Sequence, residues 1–158
     1  MPGAGAARAG VEAGGAETAM AMLDLGAWLA PVGRGARFMV HVSAAEGETI
    51  ELIDESYNAN PTSMAAALEV LAASEVTHDI GRVSNGRRIA YLGDMKAWGP
   101  DEIALHAGLA HLAANKQLDV IHCVGPLMRS LYDLIPAHHR GDWAACSAEL
   151  LPGLASPL

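Results

Sequence analysis

The chain is poor in the groups that grip phosphate. Among 158 residues there are two lysines, Lys96 and Lys116, and neither follows a glycine or precedes Ser or Thr. The Gly-x-x-x-x-Gly-Lys-Ser/Thr loop is therefore missing, and the chain by itself does not hold a triphosphate in that manner. Basic residues are also outnumbered, with 10 Lys and Arg against 18 Asp and Glu and a formal net charge of −8. No basic stripe exists to displace counterions, which argues against nucleic acid as a partner. The two cysteines, Cys123 and Cys146, lie far apart and form no Cys-x-x-Cys pair. Free thiols in a reducing compartment are the expectation. No Gly-x-Ser-x-Gly elbow occurs. No segment approaches the roughly 20 apolar residues that span a bilayer, and no basic stretch followed by an apolar run opens the chain. Membrane insertion is not expected, and a cytoplasmic location follows by elimination. Seven histidines invite a metal, yet His106 and His111 stand five apart rather than four. The one-face zinc spacing is absent, and no metal site is expected from this chain alone.

What is present reads as one packed domain. Apolar residues make up 51% of the chain, enough for a core at this length. Residues 1–15 are almost wholly Ala and Gly and are expected to be disordered. Gly3-Ala4-Gly5 follows no strand and fails as a dinucleotide fingerprint, which disfavours an oxidoreductase of that type. Residues 16–30 predict a helix with Met20, Leu23, Ala27 and Trp28 on one face, stopped by Pro31. Residues 37–43 and 49–54 predict an antiparallel hairpin, half exposed because apolar and polar positions alternate in its first strand. Asn60 can cap a helix over 61–74, with Pro61 at its first position, where a missing amide hydrogen costs nothing. A buried strand over 88–92, a helix over 101–115, a buried strand over 120–124, a helix over 127–134 and a last helix over 144–151 complete the pattern. Strands alternating with helices imply an α/β fold: an open, doubly wound, mostly parallel sheet, with the hairpin supplying antiparallel edge strands. The chain stops after a helix, so the strand order is expected to be unfinished and the domain truncated.

The densest chemistry lies in Asp54-Glu55-Ser56-Tyr57-Asn58-Ala59-Asn60-Pro61-Thr62-Ser63, between a strand and a helix. Ligands of open α/β sheets are held just outside the carboxyl ends of strands. Carboxylates there suit ribose hydroxyls, each oxygen accepting a hydrogen bond; a solvated turn explains Asp54 and Glu55 about equally well. Asn58 and Asn60 could bind a polar ligand, although capping already gives Asn60 a task. Asp94 and Gly125 also close strands and could border one crevice, with Asp94 equally suited to capping a turn. Arg34, in the turn Val32-Gly33-Arg34-Gly35, could hold a phosphate or carboxylate bidentately, while most surface arginines simply face water.

The string Asp54–Ser63 with Met64-Ala65-Ala66-Ala67-Leu68, followed by Gly86-Arg87-Arg88-Ile89-Ala90-Tyr91-Leu92-Gly93-Asp94-Met95, resembles the Mur ligase family in its MurF type. Arg34, Leu105-His106 and Val124-Gly125 fall in the same order. The resemblance runs from about residue 16 to residue 151. It implies a C-terminal domain of Rossmann-like fold over 34–158, preceded at 16–33 by the tail of a central ATP-binding domain. Enzymes of this type phosphorylate a carboxylate with ATP, then let an amine attack the acyl phosphate, joining D-alanyl-D-alanine to UDP-N-acetylmuramoyl-tripeptide for peptidoglycan. By resemblance, Arg34, Asp54 and Glu55 face the nucleotide, and Tyr57, Asn58 and Asn60 face the dipeptide or reacting centre. Asp94 and His106 are possible cleft residues. ATP and Mg2+ would be held mainly by the central domain, and a fragment alone would be inactive. A non-catalytic module retaining nucleotide or dipeptide affinity is the alternative. The chain departs from the family at Glu55, where Asp is common, and at Gly93-Asp94-Met95-Lys96-Ala97-Trp98-Gly99, which lacks the usual glutamate. The family's last strands and their Lys-Gly-Ser element are not found.

Overall fold

A computed structural model describes residues 32–43, 48–79, 84–95 and 99–154. The expected disorder of 1–15 and the expected helix over 16–30 lie outside the described residues. The first sheet is a hairpin of β1 (Ala36–Ser43) and β2 (Glu48–Asp54), antiparallel, with Phe38 opposite Leu52 and Val40 opposite Ile50. These four side chains share one face and are all exposed, and Met39 on the other face is exposed too. The hairpin is thus wetter than alternation implies. It does not extend the second sheet as edge strands: the two sheets are separate.

Helix α1 (Pro61–Ala73) begins at a reciprocal cap. The Ser63 amide donates to Asn60 Oδ1 at 2.8 Å, and the Asn60 amide donates to Ser63 Oγ at 3.0 Å. Two of the amides that every helix start leaves without partners are thereby satisfied. The cap sets where the loop after β2 stops and the helix starts. Leu68 is the helix's fully buried contact, with Met64 and Leu71 packed beside it.

The second sheet is parallel, in the order β3 (Ile89–Gly93), β4 (Val120–Val124) and β5 (Arg140–Ala144). Ala90, Leu92, Ile121 and Cys123 alternate onto its core face and meet Leu68, Leu109, Leu118, Met128, Leu131 and Ile135. Each fully buried leucine or isoleucine contributes roughly 1.5–3 kcal/mol relative to exposure. Between β3 and β4 the expected single helix over 101–115 is broken. Helix α2 (Glu102–Gly108) is followed by 3-10 turns at Leu109–His111 and Ala113–Gln117. Leu112 between them is extended (φ −65°, ψ 132°), and Ile103, expected on the apolar side, is exposed. The helix expected over 127–134 contracts to α3 (Arg129–Tyr132) with turns on either side.

The largest correction is β5. Residues 140–144 carry no apolar run, so they look like a loop, and the final helix was expected from residue 144. The structure instead pairs Ile121 with Arg140 and Cys123 with Trp143, then places α4 at Ser147–Leu154. Strand β5 is thus a third parallel strand that precedes the last helix.

On the sheet's other face Tyr91 and His122 are register partners and stack, with ring centroids 4.4 Å apart and planes 6° from parallel. The Asp142 amide donates to His122 Nδ1 at 2.9 Å. Burial lowers the pKa of His122, partly offset by the Asp142 carboxylate; burial and the same carboxylate raise that of Tyr91. A Cβ on Gly141 would lie 2.7 Å from the His122 ring, so β5 carries glycine where the ring needs its space.

Burial pushes the Cys123 thiol up to about 12, whereas Cys146 is exposed. Thiolate, not thiol, is the reactive form. One equivalent of a disulfide reagent is therefore expected to react with the folded chain and a second only after denaturation. Two equivalents titrating together in the native state would contradict a closed core around β4.

Candidate functional site at the strand-to-helix corner

The register of the hairpin, with Ala36 opposite Asp54, delivers the turn at 32–35 to the loop that leaves β2. Three hydrogen bonds lock the two together, and a fourth tightens the loop itself. The Gly35 amide donates to the Asp54 carbonyl at 2.9 Å, and the Tyr57 amide donates to the Gly33 carbonyl at 3.0 Å. The Asp54 carboxylate takes the Gly33 amide on Oδ2 at 3.1 Å and the Ser56 amide on Oδ1 at 3.0 Å. Hydrogen bonds from Ser56, then from Gly33, outweigh desolvation and hold the Asp54 carboxyl below its usual range. Both of its oxygens thus face backbone amides, and Asp54 braces the corner.

Glycine is required at this junction. Gly33 has φ +77°, in the left-handed region that L side chains rarely adopt. A Cβ there would stand 2.8 Å from both the Cβ and the backbone nitrogen of Tyr57. Gly35 (φ +80°) lies under the Glu55 carboxylate, 3.1 Å from Oε1 to the position a Cβ would take. Close backbone approach brings Arg34 and Tyr57 together: the guanidinium carbon sits 4.3 Å from the centre of the Tyr57 ring. Arg34, Glu55, Tyr57 and Asn58 are all exposed. The corner therefore offers a cation, a carboxylate, an aromatic face and an amide to solvent on a rigid backbone. Asn60 stands at its far end, its carbonyl oxygen occupied by the α1 cap.

The remaining two candidates serve the other sheet. Asp94, at the end of β3, accepts the amides of Met128 at 2.8 Å and Leu127 at 3.3 Å, in the turn that leads into α3. Gly125 has φ +112°, and a Cβ on it would fall 2.3 Å from the Asp94 carboxyl. His106 does not line a cleft. It is fully buried, accepts the Met95 amide on Nε2 at 2.9 Å, and holds its Nδ1 against the Glu102 carbonyl. An acceptor Nε2 leaves the proton on Nδ1, so the ring is a neutral tie between α2 and the residue after Asp94. The sequence marks Gly33 and Gly35 as flanking Arg34 in a turn, but not that this turn packs against Tyr57, because the hairpin register alone brings the two together.

Among the described residues no group of three His, Cys, Asp or Glu side chains could hold a metal ion. The described residues do not fit a magnesium site. Nor is any described helix long and apolar enough to cross a membrane.

Comparison with known proteins places this geometry in context. Residues 36–157 match the model of the family described as "Mur ligase, glutamate ligase domain". The chain is 35% identical over 116 residues to UDP-N-acetylmuramoyl-tripeptide–D-alanyl-D-alanine ligase of Mycobacterium leprae, covering 70% of this chain and 22% of that protein. Among solved structures it resembles MurF from Acinetobacter baumannii, with TM-score 0.53 and 27% identity over 74% of this chain and 22% of that one. MurF ligase from Thermotoga maritima, solved with ADP, gives TM-score 0.60 at 18% identity, covering 86% of this chain and 27% of that one. At that identity the likeness shows the fold alone. The chain spans about a fifth of the length of the curated relative from Mycobacterium leprae.

Proposed function

The chain belongs to the Mur ligase family as a C-terminal domain of the MurF type, and from that membership we propose that it supplies the nucleotide- and dipeptide-facing side of an ATP-dependent amide ligase. The reaction is the addition of D-alanyl-D-alanine to UDP-N-acetylmuramoyl-tripeptide during cytoplasmic peptidoglycan synthesis. A carboxylate of the tripeptide takes the terminal phosphoryl group of ATP, releasing ADP. The dipeptide amine then attacks the acyl carbon, phosphate leaves, and the amine gives up a proton. The phosphate loop and the Mg2+ ligands belong to protein beyond these residues, since this chain has neither the lysine loop nor a described donor cluster.

Within that division, Arg34 offsets phosphate charge, where a guanidinium can bond two oxygens at once. Glu55 reads the ribose hydroxyls, one methylene further out than an aspartate would. Tyr57, Asn58 and the amide nitrogen of Asn60 face the dipeptide side. Asp54 sets the loop that carries them, and its place in the nucleotide site is as a brace. The observation that carries the reading is the clamp itself. Two segments about twenty positions apart are held by three hydrogen bonds, and Arg34, Glu55 and Tyr57 are left exposed. A fully solvated turn has no need of that rigidity.

Calorimetric titration of the chain with a non-hydrolysable ATP analogue and with D-alanyl-D-alanine tests the proposal. Saturable heat with the nucleotide is the expected result, with no turnover by the chain alone. Binding without ligation in the presence of the family's other domains would favour the non-catalytic module. Absence of heat with both ligands would remove the corner from consideration as a binding site.

A further inference from the structure

The corner contains one contact whose purpose the nucleotide reading leaves open. The Arg34 guanidinium lies over the Tyr57 ring at 4.3 Å, although both side chains are exposed. A free arginine on a glycine-flanked turn has side-chain rotamer freedom to lose before it can bind anything. Tyr57 is an unusually firm support. Its amide is hydrogen-bonded to the Gly33 carbonyl, the residue preceding Arg34. Its Cβ also packs so closely on Gly33 that no other side chain than hydrogen fits there. The backbone that bears the ring is thus fixed to the same turn that carries the guanidinium. A ring held in this way attracts the cation through its negative face while leaving the in-plane N–H donors pointed outward.

We propose that Tyr57 is a positioning residue for Arg34: its ring holds the guanidinium flat, with its donor edge turned to the incoming phosphate. This rests on the nucleotide reading of Arg34 and deepens it. Tyr57 acts through Arg34, so the nucleotide side and the dipeptide side of the corner share one side chain. The phenol hydroxyl plays no part in the support, and phenylalanine should replace tyrosine in this role where leucine cannot.

The test has an arm that needs no ligand. In proton–nitrogen spectra of the chain, the Nε–Hε resonance of Arg34 is expected to be shifted upfield by the ring current. The shift should survive in Tyr57→Phe and vanish in Tyr57→Leu, with the backbone amide spectrum otherwise preserved as the check on folding. Arg34 resonances that are the same in the wild type and in Tyr57→Leu overturn the proposal.

The second arm is a double-mutant cycle on affinity for the ATP analogue. Tyr57→Leu is expected to weaken binding about three-fold, the scale of an exposed cation–ring contact. In an Arg34→Ala background it should have no further effect. Equal weakening in both backgrounds means that Tyr57 touches the nucleotide itself, which overturns positioning while leaving the nucleotide reading intact. Arg34→Ala without effect on affinity defeats the nucleotide reading, and the positioning role falls with it, whatever the ring-current arm shows.

Discussion

Gly125→Ala is expected to lower the stability of the chain by roughly 3–5 kcal/mol, combining backbone strain with lost hydrogen bonds. The residue has φ +112°, outside the regions an alanine adopts without cost. A new Cβ would also stand 2.3 Å from the Asp94 carboxyl, well inside contact distance. That carboxyl cannot simply move aside. It bonds the amides of Leu127 and Met128, and the Asp94 amide bonds the Val124 carbonyl at 3.1 Å. Displacing it leaves two half-buried donors without partners, in a domain whose total stability is of order 5–15 kcal/mol. Urea denaturation followed by circular dichroism measures the change. A midpoint shift worth less than about 0.5 kcal/mol, the range of an ordinary surface substitution, would mean that the Asp94 clasp is loose.

Arg34→Ala should have the largest effect on ligand binding, weakening affinity for the ATP analogue roughly 30-fold. A hydrogen bond to a charged group contributes about 1.5–3 kcal/mol, and 1.4 kcal/mol is about a factor of ten. Stability should hardly change, because the side chain is exposed and the turn is held by the amides of Gly33 and Gly35 rather than by the guanidinium. Arg34→Lys separates geometry from charge. A lysine keeps the charge but loses the planar pair of donors and stacks poorly, so it should recover only part of the affinity. Full recovery by lysine would show that Arg34 acts as a point charge. Calorimetry on the three proteins decides between these outcomes.

Asp94 illustrates how a strand-end carboxylate divides between two uses. In open parallel sheets the edge at the carboxyl ends of the strands receives anionic ligands on free amides. Here Asp94 already supplies the negative charge to the amides at 127 and 128, so that stretch of edge is closed by the protein's own side chain. His106 completes the knot from beneath by accepting the next amide, that of Met95. The exposed chemistry is displaced to the hairpin, where Arg34 and Glu55 stand clear of any such internal partner among the clamp bonds.

The difference between Asp54 and Glu55 makes the same point at closer range. Side by side in sequence, they are equivalent as candidates for a ribose. In three dimensions each oxygen of the Asp54 carboxylate is engaged by one backbone amide. Glu55 is turned outward over Gly35. Nothing in their one-dimensional order distinguishes them, because the distinction is made by residues 33–35, which arrive through strand pairing.

Local rules were enough for the parts of the chain whose order is set by their own side chains. The apolar run at 120–124 could only be a buried strand, and Asn60-Pro61 with Ser63 could hardly avoid starting a helix. The strand-to-helix string beginning at Asp54 carried the family on its face. Other features depended on contacts between distant segments. Strand β5, with Arg140, Gly141 and Asp142 in place of an apolar run, exists because β4 offers a ladder and the His122 ring admits only glycine beside it. The α-helix expected over 101–115 stops at Gly108 and gives way to 3-10 turns on either side of an extended Leu112. The placement of Arg34 on Tyr57 likewise required the hairpin register, since no periodicity relates positions 34 and 57. Propensity and capping act over a few residues and are written in the order of the chain. Which charged group faces inward, and which cation meets which ring, is settled by backbones approaching from far apart, and only the folded molecule contains that information.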